Sequence, residues 1–133
     1  MGPAMTASHL YEDAQSDALI SAYDDQLDLI DRFGARIAFA RGDEVFAQDE
    51  EADLIYRVVR GAVRTSRVLN DGRVQAGEIY GEGDVFGYDA GPTHRFAAEA
   101  LSSCLIAVVR RSTLEALGGD LKGLIWAAAA LAG

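Results

Sequence analysis

His94 and Arg95, adjacent in the chain, are the side chains best suited to hold a small anion. A guanidinium offers a fork of N–H donors and an imidazole adds another. They close a short loop, Asp89-Ala90-Gly91-Pro92-Thr93-His94. Charged residues in such loops more often sit in water, so a solvated pair is the competing reading. Other chemistry is thinly supplied. His9 and His94 are the only histidines, too few and too far apart to give a metal the several converging imidazoles and carboxylate it needs. Asp49, Glu50, Glu51 and Asp53 are acidic like a calcium loop but lack its spacing and its glycine, and read as a solvated turn. Gly81, Gly83 and Gly87 are not spaced as in a dinucleotide loop and no helix follows them; they read as turn glycines. No Ser/His/Asp or Cys/His order stands out, so the chain is not expected to be an enzyme. Cys104 is the single cysteine and opens an apolar stretch, which favours a buried structural thiol.

The elements that must position these residues are strands. From Tyr56 to Gly87 apolar and polar residues alternate, and glycines with Asn70-Asp71-Gly72 break the run at short intervals. That pattern writes antiparallel strands wound into a small roll or barrel. The expected strands are 36–40, 45–47, 54–60, 62–69, 73–80, 85–87, 96–101 and 104–110, with 54–60 and 62–69 forming a hairpin about Gly61 and Asn70-Asp71-Gly72 making a tight turn.

Helices are expected to flank the roll. Tyr11, Ala14, Ala18, Leu19, Ala22, Tyr23, Leu27 and Ile30 recur at helical spacing, predicting one or two helices over 11–33 ended by Gly34. Ser112-Thr113-Leu114-Glu115 has the letters of a capping box and predicts a short helix from Thr113 to Leu117. Asp120 is a good N-cap for a last helix, 121–132, which carries no charge after Lys122 and must be buried. Leu121, Leu124, Ile125, Ala128 and Leu131 would form a seam, docked on the roll or paired with a second copy.

Composition sets bounds. At 133 residues, half of them hydrophobic, the chain is one domain with a sizeable core and no need of disulfides. The lone thiol fits a reducing cytoplasm. Net charge is −9, and the first 31 residues carry Glu12, Asp13, Asp17, Asp24, Asp25, Asp28 and Asp31 with no Lys or Arg. Such a surface repels phosphate and is not expected to bind nucleic acid by itself. Arg64, Arg67 and Arg73 lie near one hairpin and are expected to balance the acidic N-terminal helix, with DNA or RNA polymerase as the other partner weighed. The start shows no secretory pattern, the letters of a myristoylation site at Gly2 are spoiled by Pro3, and the tail GLIWAAAALAG is too short to span a bilayer.

Four segments, read together, carry a resemblance: 40–46 (ARGDEVF), 55–64 (IYRVVRGAVR), 83–87 (GDVFG) and 110–117 (RRSTLEAL). The chain resembles the sensor domain of the CRP/FNR family of bacterial transcription regulators from about Ile37 to Leu117, and Phe86-Gly87-Tyr88-Asp89-Ala90 with Phe96–Leu101 is most similar to the FNR/FixK branch. The resemblance implies a mainly β fold, a jelly-roll-like double-stranded β-roll with N-terminal helices and a C-terminal dimerisation helix. The division would be 1–34 helical segment, 35–111 roll, and 112–133 short helix and start of the dimerisation helix. It also implies a homodimer, and promoter DNA read by a C-terminal helix-turn-helix domain that this sequence does not contain, so an excised sensor or a natural short relative is expected.

In nucleotide-binding members a Gly-Glu pair opens a phosphate cassette and an Arg followed by a small hydroxyl residue sits further along, the Glu for the ribose and the Arg for the cyclic phosphate. Here Gly87 is in place, Tyr88 stands where the Glu is expected, the loop is shorter, and Arg95 is followed by Phe96. A phenol cannot accept as a carboxylate does. The expected ligand residues are therefore Gly87, Tyr88, His94 and Arg95, with cAMP disfavoured and no cofactor expected. An iron–sulfur cluster needs four thiolates, and haem an axial ligand, normally His, of which there are two candidates in the chain. Three functions stay open: a sensor and dimerisation domain of a cytoplasmic regulator, a cyclic-nucleotide or small-anion binding module, and a standalone adaptor that dimerises with full-length relatives.

Overall fold

The computed structural model describes residue 21, residues 24–25 and residues 27–117. The expectations for the first half of the N-terminal helix, for Asp120 and for the seam Leu121, Leu124, Ile125, Ala128 and Leu131 lie outside the described residues. The order is helix α1 (27–33), strands β1 (Ala35–Phe39), β2 (Glu44–Phe46), β3 (Leu54–Arg60), β4 (Val63–Val68), β5 (Val74–Tyr80), β6 (Val85–Phe86), β7 (Ala97–Ala100) and β8 (Cys104–Arg110), and helix α2 (Arg111–Ala116).

The strands form two antiparallel four-stranded sheets, ordered β1-β8-β3-β6 and β2-β7-β4-β5. The eight strands lie where the alternation places them, each within a residue or two at its ends. Their pairing differs at one point. The expected hairpin about Gly61 does not form: β3 and β4 belong to different sheets, and Gly61, at φ +94°, is the corner where the chain crosses over. A Cβ there would meet Ser103 O at 2.6 Å and Cys104 Sγ at 2.8 Å, so only glycine fits at this corner. The turn at Asn70-Asp71-Gly72 does join paired neighbours, β4 and β5, with Gly72 at φ +86°.

Neighbouring residues of the inner strands β3 and β8 enter two different cores. Phe46, Tyr56, Val58, Val63, Phe86, Ala98, Ala100, Cys104, Ile106 and Val108 fill the space between the sheets. Ile30, Ile55, Val85, Ala107, Val109 and Leu114 form a second cluster, where α1 and α2 cover the outer face of the β1-β8-β3-β6 sheet. β8 is buried on both faces, which is why CLIAVVR reads as an almost unbroken apolar run. Cys104 is buried as expected, with its thiol donating to Ala62 O at 3.2 Å.

The capping box does not form. β8 runs straight into α2, so the N-cap falls on Arg110, two residues before the hydroxyl, and makes no side-chain cap bond. The free N–H of Arg111 is satisfied by Asp53 O at 2.8 Å. Gly34 does end α1, its N–H donating to Ile30 O at 2.8 Å. Among the described residues no helix is long and apolar enough to cross a membrane.

Candidate functional site

A cavity of about 380 Å³ opens between β5 and the segment 87–96. Gly87, Tyr88 and Arg95 line it, together with Phe46, Thr65, Glu78, Tyr80, Asp89 and Phe96. Three of the four ligand residues expected from the sequence are thus brought together. The fourth, His94, lies behind the wall: its ring is 1% exposed and stacks on Phe46 with centroids 3.7 Å apart and planes 14° from parallel. The solvated-loop reading of His94 is therefore corrected. The loop folds back on 48–52 through Asp49 N to His94 O, His94 N to Glu50 O and Ala52 N to Pro92 O, each 2.8 Å, and these bonds draw the imidazole under the roll.

The floor of the cavity is set by an irregularity. Between the pairs Arg64–Ile79 and Ser66–Ala76, β5 carries one residue more than β4. The Thr65 hydroxyl holds this bulge, accepting from Glu78 N at 2.9 Å and donating to Glu78 O at 3.3 Å. Gly77 is required beside it, since a Cβ would come within 2.3 Å of Thr65 Oγ1. A bulge re-aims the side chains around it, and here Glu78 joins the cavity wall.

The mouth of the cavity is organised by Asp89. Its Oδ2 accepts from His94 Nδ1 at 2.8 Å, and its Oδ1 accepts from the backbone N–H of Arg95 at 3.3 Å and lies 3.6 Å from Arg95 Nε. The carbonyl of Asp89 accepts from Arg111 Nη1 at 3.1 Å, tying the loop to α2. The side chain of Asp89 is 13% exposed, whereas that of Arg95 is 74% exposed. Two acidic residues, Glu78 and Asp89, and one arginine, Arg95, therefore line the same space. Tyr80 feels this: burial raises its phenol pKa, and the carboxylates of Glu78, Asp84 and Asp89 raise it further. Tyr56, behind it in the core, is pushed up to about 12 by burial, with Glu50 and Asp53 adding to the effect. Both rings therefore stay neutral at ordinary pH.

A family model described as the cyclic nucleotide-binding domain matches residues 36–119. The nitrogen fixation regulation protein FixK of Azorhizobium caulinodans is 40% identical over 97 residues, covering 71% of this chain and 39% of that protein. The structure of FixK2 from Bradyrhizobium japonicum superposes with a TM-score of 0.63 at 40% identity, covering 75% of this chain and 51% of that one. This chain belongs to the cyclic nucleotide-binding domain family, among the CRP/FNR-type regulators. The catabolite activator protein of Thermus thermophilus shares the fold, with a TM-score of 0.66 at 23% identity over 80% of this chain and 52% of that one. The cyclic nucleotide-binding-like domain described here spans about two fifths of the length of the curated FixK relatives.

In this domain the sequence left Glu78, Asp89 and Thr65 out of the site. Glu78 lies two residues before Tyr80 on the same face of β5, but no residue of that strand was expected at the site. Asp89 was out of reach as well, since its role comes from how the loop folds. Arg64, Arg67 and Arg73 do not balance the N-terminal helix among the described residues. Arg64 pairs with Glu99 at 3.5 Å, Arg73 with Asp71 at 2.6 Å, and Arg67 donates to Gln75 at 2.8 Å. Among the described residues Arg57 does reach α1, paired with Asp31 and also donating to Gly83 O at 3.1 Å. Among the described residues no group of three or more His, Cys, Asp and Glu could hold a metal ion.

Proposed function

We propose that this chain is the sensor and dimerisation module of a cytoplasmic CRP/FNR-type transcription regulator, not an enzyme, and that its cavity does not take cAMP. The observation that carries this reading is the cavity wall. Tyr88 follows Gly87 where a carboxylate would clamp a sugar hydroxyl, while Glu78 and Asp89 outnumber Arg95 and oppose a phosphate. No cofactor is part of the reading. The module works as a homodimer through the apolar segment 121–131, and a helix-turn-helix domain, not the roll, contacts promoter DNA. Signal reception then amounts to a change in packing between the roll and the last helix, biasing two arrangements of the dimer. Light scattering of the full chain tests the dimer.

A second reading, a module for a cyclic nucleotide or other small anion, is supported by the exposure of Arg95 at the cavity mouth. Thermal melting with cAMP and with cGMP at millimolar concentration separates the two, because a ligand that binds only the folded state raises the transition temperature. No shift is expected; a saturable rise with either nucleotide would falsify the first reading.

A further inference from the structure

We propose that Asp89 is a resident anion, a specificity-determining residue whose carboxylate holds the place a phosphate would need beside Arg95. The inference rests on the reading of the cavity as one that takes no cyclic nucleotide, and it names the cause.

The pair is asymmetric. Arg95 is largely in water, and an exposed ion pair of this kind is weak by itself. Asp89 cannot leave. One carboxylate oxygen is bonded to the buried His94, the other accepts from the backbone of Arg95, and its carbonyl is held by Arg111. Pulling the carboxylate away would strand the His94 Nδ1–H inside the roll without an acceptor, which burial makes costly. An incoming phosphate would thus have to share the guanidinium with a fixed negative charge, with a second carboxylate, Glu78, on the opposite wall. Like charges disfavour one another, more strongly in a recess than in bulk water. The cavity accordingly accepts neutral or cationic ligands and turns away phosphates. Removal of that one negative charge, with the bond to His94 kept, converts it into a phosphate site.

The test uses the full chain and inorganic phosphate as probe, by calorimetric titration at low salt. Asp89→Asn removes the charge and keeps one acceptor oxygen, for the His94 Nδ1–H, while its amide nitrogen takes the place of the oxygen that accepts the longer bond from Arg95 N–H; Asp89→Ser is the second variant should the first not fold. Either is expected to bind phosphate on the order of tenfold tighter than the unmodified chain, and Arg95→Gln in the same background to abolish the gain. A folded variant with no gain, or a gain that survives Arg95→Gln, overturns the proposal even if the unmodified chain ignores cAMP. A further measurement needs no variant: the Nε resonance of Arg95 in the unmodified chain is expected to stay put as phosphate is added, and a saturable displacement would also overturn it. Binding of cAMP by the unmodified chain would defeat the functional reading instead.

Discussion

Gly87 shows how single residues fix the geometry of the cavity. Its φ of +80° lies in the left-handed region, and a Cβ there would come within 2.4 Å of Tyr56 Cδ1 and 2.8 Å of Cε1. Glycine is required twice over, once by the backbone and once by the ring that closes on it. The close approach lets Tyr56 and Phe86 stack at 5.2 Å and leaves the 87–96 segment lying over the end of the inter-sheet core. Gly87→Ala is expected to lower stability by roughly 1–3 kcal/mol, the usual penalty for left-handed strain with overpacking. Urea unfolding measures it: the midpoint should fall with little change in slope. An unchanged midpoint would mean the backbone can flip at this position without loss, and that the loop is not fixed by the ring.

At the scale of elements, what was readable in the sequence and what was not divide along a physical line. Alternation and turn residues are local, so all eight strands, the turn at Gly72 and the helix end at Gly34 were legible. Partner choice is not local. Gly61 looks like a hairpin glycine, but only the position of Cys104, more than forty residues on, shows that it turns a corner between sheets. Ser112 with Glu115 has capping letters, yet β8 delivers the chain to α2 two residues too soon. His94 was misplaced because the bonds that bury it come from 48–52. The bulge at Gly77–Glu78 belongs to the same class, since a threonine on the neighbouring strand holds it. Thr65→Val keeps the shape and removes the hydroxyl that both accepts from and donates to Glu78. The expected cost is about 1–2 kcal/mol, with the Glu78 amide left short of a partner. Hydrogen exchange should show faster exchange at Glu78 and little change in β8. Equal protection at Glu78 in the variant would mean that the β4–β5 register holds the bulge without the hydroxyl.

Across the whole molecule, one sheet faces two cores. Cys104, Ile106 and Val108 of β8 point between the sheets while Ala107 and Val109 point to the helices, and β3 divides in the same way, with Tyr56 and Val58 on one side and Ile55 on the other. Even β6, two residues long, splits: Phe86 enters the inter-sheet core and Val85 the helical one. This arrangement predicts a roll held by its inter-sheet core with the helical layer attached to it. Two fully buried isoleucines test the hierarchy. Ile106→Ala and Ile30→Ala remove the same groups, and each is expected to cost about 2–5 kcal/mol in the region its side chain supports. Their reach should differ. Ile106→Ala should lower exchange protection in both sheets together, because its side chain joins them. Ile30→Ala should speed exchange in 27–34 and α2 while β4, β5 and β7 keep theirs. If Ile30→Ala instead loosened every strand equally, the helices and the roll would be a single cooperative unit, and a signal could not shift the one without unfolding the other.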